Sequence, residues 1–144
     1  MESLHYLLMK SHAMLSRSIL SQANKIGLTS GQPKILDFLL KSEEADQKTI
    51  ASYCEIEPAT VGSILMRMEE NGLVLRRQKE GNRRSLYVSL TEEGKQSAEK
   101  LMDIFNEAEN MAVSNMTDEE IKVLKETLCK LCDTIKINNE SKKV

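Results

Sequence analysis

The sequence predicts a mostly α-helical fold with one small two-stranded β hairpin. Apolar residues recur at spacings of three and four over most of the chain, which is the period of an amphipathic helix. The period changes to two on either side of Gly81-Asn82, which is typical of two short strands joined by a turn. At 144 residues the chain has the length of about one domain, so we expect one compact unit.

The first two helices are predicted from apolar spacing and from their end signals. An amphipathic pattern over residues 3–24 predicts the first helix, which Gly27 ends. Thr29, with Gln32 three positions later, has the form of a capping box. This pattern predicts a second helix over residues 30–40.

A short third helix and a longer fourth helix follow. Asp46 is a suitable N-cap for the third helix, which continues through Tyr53. Glu57-Pro58 predicts the start of the fourth helix, because proline is tolerated in a first turn, and Asn71-Gly72 predicts its end. The hairpin strands are then expected at residues 73–77 and 85–90.

Two long helices complete the chain. Thr91, followed by two glutamates, predicts the start of a fifth helix that extends to about Met116. Thr117 and Glu120 form a second capping box at the start of a sixth helix, and the tail from Asn138 is expected to fray. The apolar residues of the sixth helix form the narrow stripe of a helix-pairing seam.

The order of these elements predicts a winged helix-turn-helix. Two short helices, a longer helix and a hairpin with basic residues at its tip give this arrangement at residues 28–90. A domain of this size cannot cover the apolar stripes of the flanking helices, and a second copy is their natural partner. The sequence therefore predicts that residues 1–27 and 91–144 form a helical dimerisation region of a homodimer.

The charge of the chain is unevenly distributed. The net charge is −2, yet five basic residues and one acidic residue lie between positions 76 and 84, a local charge of +4. One interpretation is a charged hairpin that contacts only solvent. The other is contact with nucleic acid, because a local positive potential attracts phosphates whatever the total charge.

The fourth helix has one apolar face and one polar face. Val61, Leu65 and Met68 share the apolar face, which we expect to be buried. The other face carries Ala59, Thr60, Ser63 and Arg67. Hydroxyl and guanidinium groups bond to base edges or to phosphates, so DNA contact is favoured over a plain solvated face.

Three segments carry a resemblance to a known family. They are residues 28–29, residues 50–77 and residues 82–94. The last is the most specific: it reads Asn-Arg-Arg, five residues, then Leu-Thr-Glu-Glu-Gly, and it resembles the wing signature of the MarR family of bacterial transcriptional regulators. The family has Asp where this chain has Asn82, so an amide replaces the carboxylate that would orient a wing arginine.

The resemblance covers nearly the whole chain and implies a function. It implies a homodimer, joined through its terminal helices, whose two winged domains read a near-palindromic operator in double-stranded DNA. It also implies repression that an effector relieves, either a small aromatic acid or phenol or an oxidant, at the junction between the dimerisation region and the winged domain.

The resemblance also gives roles to wing residues. Arg83 and Arg84 would be minor-groove or backbone anchors, with Arg84 at the signature arginine. We expect Arg76, Arg77 and Lys79 to neutralise the DNA backbone, the alternative being ordinary solvated charge.

The three cysteines allow more than one interpretation. Cys129 and Cys132 form a Cys-Xaa-Xaa-Cys motif, which is compatible with redox sensing or metal binding. Apolar packing is favoured, because the motif lies on or beside the stripe of the sixth helix with no second Cys or His pair nearby in the sequence. Packing is also favoured for Cys54, although its oxidation could disturb DNA docking. We therefore predict no metal site and keep all three cysteines as redox candidates.

Several functional classes are excluded at this stage. The chain has no nucleotide-binding glycine motif and no evident nucleophile-base pair, so we expect neither an enzyme nor a cofactor. No apolar run approaches the ~18–20 residues of a membrane span, and the first ten residues do not resemble a secretory signal. We expect a cytoplasmic protein without a membrane partner.

One alternative function is left open. Winged helices also serve as protein-protein adaptors that do not bind DNA. The basic residues of the hairpin favour the DNA-binding regulator, because an adaptor has no need for them.

Overall fold

The computed structural model describes residues 1–79 and 81–143, with side chains for all of these except residues 82–85. The helices are α1 (Leu4–Lys25), α2 (Gln32–Ser42), α3 (Gln47–Cys54), α4 (Pro58–Glu70), α5 (Glu92–Ala112) and α6 (Asp118–Ser141). The strands are β1 (Glu44–Asp46), β2 (Val74–Lys79) and β3 (Asn82–Leu90), paired antiparallel in the order β1-β3-β2. The chain divides into two compact units, one ending at Ala108 and one beginning at Glu109.

Three predicted helix caps are confirmed. The side chain of Asp46 accepts a hydrogen bond of 2.7 Å from the Thr49 N–H at the start of α3. At the start of α6, Thr117 and Glu120 form the reciprocal capping box, with both hydrogen bonds 3.1 Å long. Thr91 Oγ1 accepts from the Gly94 N–H in the first turn of α5. Short polar side chains thus satisfy N–H groups that a helix start leaves free.

The start of α2 differs from the prediction by two residues. Gln32 Oε1 accepts from the Thr29 N–H at 3.1 Å, which is one half of the expected capping box. The N-cap, however, is Gly31 with φ 86°, and the helix begins at Gln32. A Cβ at Gly31 would lie 2.5 Å from Ile64 Cδ1, so the Ile64 side chain on α4 occupies the space that the side chain of another residue would need.

The two-stranded β hairpin is confirmed, and a third strand that was not predicted extends it to a sheet of three. The additional strand β1 pairs with β3 in the register Ala45 opposite Val88, and both side chains are buried. β1 has only three residues, two of them acidic, so it carries no alternating apolar pattern of its own. Its conformation depends on pairing with a strand some forty positions later.

The core lies in the first unit and includes the predicted residues of α2 and α4. Ile35, Phe38 and Leu39 of α2 are buried, and Val61, Leu65 and Met68 of α4 are each 0% exposed. α3, β2, β3 and α5 contribute further buried apolar side chains to the same cluster. The apolar faces predicted from helical spacing therefore meet in one core.

The Leu-Thr-Glu-Glu-Gly signature joins the end of α4 to the start of α5. Thr91 Oγ1 donates a hydrogen bond of 2.5 Å to the Gly72 carbonyl, and the Thr91 N–H donates to the Leu73 carbonyl at 3.1 Å. A Cβ at Gly94 would overlap that same Leu73 carbonyl oxygen. The signature threonine and glycine thus hold two backbones closer together than larger residues allow.

The second unit consists of the end of α5 and α6. α5 ends at Ala112, four residues earlier than predicted, whereas α6 continues to Ser141 instead of fraying at Asn138. None of the described α6 residues is buried, and large apolar residues such as Leu124, Leu128 and Ile135 are exposed.

Candidate nucleic-acid interface

α3 and α4 form a helix-turn-helix in which the two helices lie close together. Gln47 Nε2, at the start of α3, donates to the Pro58 carbonyl at 3.3 Å. A Cβ at Gly62 would lie 3.0 Å from the same Gln47 nitrogen, so this glycine permits the close approach. Glu55, with φ 54°, makes the turn, and the Ile56 N–H donates to the Ala51 carbonyl. These contacts fix the orientation of α4 relative to α3.

The cap at Asp46 also supports this geometry electrostatically. Its hydrogen bonds with Thr49 hold the pKa of the Asp46 carboxyl below its ordinary value. The same hydrogen bonds hold the negatively charged carboxylate beside the positive end of the α3 dipole, where it is stabilising.

α4 presents the predicted polar face to solvent. Because Val61, Leu65 and Met68 are buried, the opposite side of the helix is free of packing. The exposed residues on this side include Ala59, Thr60, Ser63 and Arg67. Ser63 Oγ donates a long hydrogen bond of 3.4 Å to the Ala59 carbonyl, which a stronger acceptor can displace. No acidic side chain pairs with Arg67 within the described part of the chain.

A cleft lies between this face and the start of α2. Its volume is about 160 Å³, and Thr29 and Ser30 line it opposite Thr60, Ser63 and Arg67. Thr29 and Ser30 were not among the predicted site residues. Two hydroxyl residues at a predicted helix start were the available signal, since helix N-termini attract anions.

Arg76 at the start of the wing forms a two-point ion pair with the end of α4. Arg76 Nη2 and Nε donate to the two carboxylate oxygens of Glu69 at 3.1 and 3.3 Å. The hydrogen bond from Arg76 is the main cause that lowers the pKa of Glu69. The guanidinium side chain is only 20% exposed, so Arg76 ties β2 to α4 and presents little of its charge to solvent.

Arg77 and Lys79 share a single acidic partner on β1. Arg77 Nη2 donates to Glu44 Oε2 at 2.6 Å, and Lys79 Nζ lies 3.5 Å from Glu44 Oε1. Lys79 also lies 4.3 Å from the centre of the Tyr87 ring, a cation–π distance. The bond from Arg77 is the main cause that lowers the pKa of Glu44. Two of the predicted wing charges therefore face one carboxylate. The local charge of +4 did not include it, because that charge was counted over residues 76–84 only.

The other two predicted wing residues are Arg83 and Arg84. The side chains of Arg83 and Arg84 lie outside the described residues, as does that of Asn82. β3 contains all three positions, and β2 pairs with it antiparallel.

The cysteines lie in two different environments. Cys54 is buried at the end of α3, and burial raises the pKa of its thiol, which favours packing over redox chemistry. Cys129 and Cys132 on α6 are both exposed, so the expectation that they pack in an apolar interior is wrong within this chain. Within the described residues, no three His, Cys, Asp or Glu side chains come together as a metal site. Among the described helices, none combines the length and apolar character needed to cross a membrane.

Comparisons with known proteins give the family. The model of the MarR family matches residues 28–86. The organic hydroperoxide resistance transcriptional regulator of Bacillus subtilis is 29% identical over 134 residues, which are 93% of this chain and 90% of that protein. The uncharacterized HTH-type transcriptional regulator YwoH of the same organism is 32% identical over 77% of this chain and 80% of its own length.

A solved structure agrees with the fold. The crystal structure of the S. aureus MepR-DNA complex has a TM-score of 0.84, with 23% identity, over 93% of this chain and 99% of that chain. The winged helix-turn-helix, the wing signature and these relatives lead to one conclusion: the chain belongs to the MarR family of DNA-binding transcriptional regulators.

Proposed function

We propose that this protein is a sequence-specific repressor that binds a near-palindromic operator in double-stranded DNA as a homodimer. The observation that carries the proposal is the exposed polar face of α4, which ends in an arginine without an acidic partner in the described part of the chain. The 13-residue helix is about 20 Å long, a length suited to the major groove.

The proposed reading surface combines base contacts with phosphate contacts. Thr60, Ser63 and Arg67 face the groove, where hydroxyl and guanidinium groups discriminate base edges. Ala59, near the start of the helix, suits close approach to a thymine methyl group. Thr29 and Ser30, across the cleft, are suited to a phosphate, since their hydroxyl groups can donate to it near the positive end of the α2 dipole.

The proposed wing contacts depend on residues near the hairpin turn. Arg83 and Arg84 would follow the minor groove or the backbone beside it. Arg76, Arg77 and Lys79 would add positive potential near the phosphates, but their carboxylate partners reduce this contribution. Residues 28–90 would thus be the DNA-binding domain.

The homodimer is proposed from uncovered apolar surface outside that domain. Leu4, Leu7 and Met14 on α1 are 64, 41 and 53% exposed, and α6 exposes Leu128 and Ile135. Single exposed apolar residues are normal, but repeated ones along two long helices indicate an interface. A second copy of this chain would cover them, with residues 1–27 and 91–144 as the dimerisation region.

Release of the operator by a small molecule or an oxidant completes the proposal. The B. subtilis relative named for organic hydroperoxide resistance supports this type of regulation. A cytoplasmic location agrees with a protein that acts on DNA.

The test is fluorescence-anisotropy binding to the DNA that flanks the protein's own gene, with a shuffled duplex as control, at two salt concentrations. We expect specific binding of one dimer per site that weakens steeply with salt, because phosphate contacts release counterions. Equal and weak binding to both duplexes under reducing conditions would contradict the proposal.

One observation favours a second candidate, the winged-helix protein-protein adaptor. Glu44 and Glu69 pair with three of the wing charges, so the local charge of +4 is not wholly available to DNA. An adaptor would show no salt-dependent DNA binding, whereas the regulator would, so the same titration distinguishes the two.

A further inference from the structure

Two exposed thiols lie side by side on α6. Cys129 and Cys132 are three residues apart and both are exposed. Residues at this spacing on a helix share a face, with about 5–6 Å between their Cβ atoms. The side chains therefore form a pair that a single reagent can contact.

The pair lies beside the apolar stripe of α6 and outside its centre. The stripe consists of Ile121, Leu124, Leu128, Leu131 and Ile135, spaced alternately by three and four. In the corresponding seven-residue repeat, Cys132 takes the position next to the seam and Cys129 a position facing away from it. A second copy packed along the stripe would therefore leave Cys129 accessible and Cys132 at the edge.

The helix geometry disfavours a disulfide within the pair. A disulfide needs Cβ atoms about 3.5–4.5 Å apart, which is shorter than the helical spacing. An atom that bridges the sulfurs through two bonds of about 2.3 Å, as thiolate-bound metals do, spans the longer distance without unwinding the helix.

The surroundings of the pair disfavour a divalent metal ion. Within the described residues no third His, Cys, Asp or Glu completes a metal site there, and a tetrahedral zinc site needs four ligands. The same face carries two lysines and two acids, Lys125 and Glu126 before the pair and Asp133 and Lys136 after it, all of them exposed. Their charges cancel, so the face has no net negative charge that would attract a dication, and a neutral ligand needs none.

We propose that Cys129 and Cys132 form a two-sulfur binding site for a neutral trivalent metalloid with one organic substituent, of the monoorganoarsenic(III) class. In its hydrated form such a compound carries two hydroxyl groups on arsenic. Each thiol gives its proton to one departing hydroxyl, and two As–S bonds replace two As–O bonds with release of two water molecules. Arsenic stays trivalent, and the reaction consumes no oxidant or reductant.

The site can be tested with phenylarsine oxide and the full-length protein, without DNA. We expect one phenylarsenic adduct per chain by intact mass, with two of the three thiols protected from alkylation. Excess monothiol should leave the adduct in place and a dithiol should remove it. Because the second bond forms intramolecularly, Cys129→Ser and Cys132→Ser should each weaken retention by ~10²-fold or more.

Cys54→Ser is the matched control, since it removes a buried single thiol and should leave adduct formation unchanged. Circular dichroism checks that each variant is folded. Retention by either α6 single variant as tight as in the unmodified sequence, or a failure of the folded protein to form the adduct, would overturn the proposal. Neither result bears on DNA binding, so the proposed function is judged separately.

Discussion

Two regions of the winged domain carry basic residues in different ways. Arg67 on α4 is exposed and has no acidic partner in the described part of the chain, whereas Arg76, Arg77 and Lys79 on β2 all lie within ion-pair distance of a carboxylate. In the sequence the wing is the more basic region. In the structure the single arginine of α4 is the more available charge. Charge counted along a chain therefore differs from the charge that a ligand can contact.

The two regions also differ in what their charges do inside the protein. The pair of Arg76 with Glu69 joins the wing to α4, and the pair of Arg77 with Glu44 joins it to β1. We interpret these wing residues as positioning residues that hold the hairpin beside α4. Arg67 makes no such ion pair with any side chain that the structure describes, which leaves it available for the proposed operator contact.

The largest effect is expected from disrupting the close contact between Gly94 at the start of α5 and the Leu73 carbonyl, between α4 and β2. Gly94→Ala puts a Cβ onto the Leu73 carbonyl oxygen, a backbone atom that cannot move independently. We expect a loss of about 3 kcal/mol in the free energy of unfolding, measured by chemical denaturation. Gly27→Ala is the control: it has a positive φ but open space, so its cost should be only ~1–2 kcal/mol. Equal losses of unfolding free energy in the two variants would contradict the close contact at Gly94.

The next effect concerns the hairpin turn of the wing. Arg84→Ala should weaken binding to the proposed operator by roughly 1–3 kcal/mol without unfolding the protein, because it would remove a base or phosphate contact. Anisotropy titration measures the loss, and Arg84→Lys separates charge from guanidinium geometry. Unchanged affinity in a folded Arg84→Ala protein would contradict a DNA contact at this position.

A smaller effect is expected when the basic residues of β2 lose their acidic partner and become as available to DNA as Arg67. Glu44→Gln removes the partner of Arg77 and Lys79, so both charges become available to phosphates. We expect tighter binding to operator and to shuffled DNA alike, with a salt slope steeper by up to about 2. Asp37→Asn, which removes an acid paired with Lys41 on α2, controls for the change in net charge. A Glu44→Gln protein with an unchanged salt slope would show that these charges lie away from the DNA.

The smallest expected effect is the pH dependence of stability. The folded protein holds the pKa of Glu44 and of Glu69 below the ordinary value of 4.5, so the unfolded chain takes up protons first as the pH falls. The stabilisation from both pairs is therefore complete above about pH 5 and is lost as the pH falls through the lowered pKa values. Denaturation curves between pH 7 and pH 3 measure it. In Glu69→Gln the free energy of unfolding should fall less steeply between pH 7 and pH 3. An unchanged fall would contradict a stabilising pair of Arg76 with Glu69.

Much of the fold could be predicted because its signals are local. Pro58 and Gly72 mark α4, and the spacing of Val61, Leu65 and Met68 identifies its buried face. The strand β1 could not be predicted, since three residues carry no period and their partner strand is distant in sequence.

The candidate site was predictable to a similar extent. The exposed face of α4 follows from its buried face by helical geometry alone. The partner of Arg77 could not be found, because Glu44 lies 33 positions away on the strand that the pattern did not reveal. The exposure of Cys129 and Cys132 was also missed, because a position beside an apolar stripe does not tell which side chains remain at the surface.

The most direct test of the account compares Arg67→Ala with Arg77→Ala on the same operator duplex over a range of salt concentrations. We expect Arg67→Ala to lose roughly 1–3 kcal/mol of binding free energy and Arg77→Ala to lose distinctly less, because Glu44 already neutralises much of the Arg77 charge. An Arg77→Ala loss equal to or larger than that of Arg67→Ala would contradict it.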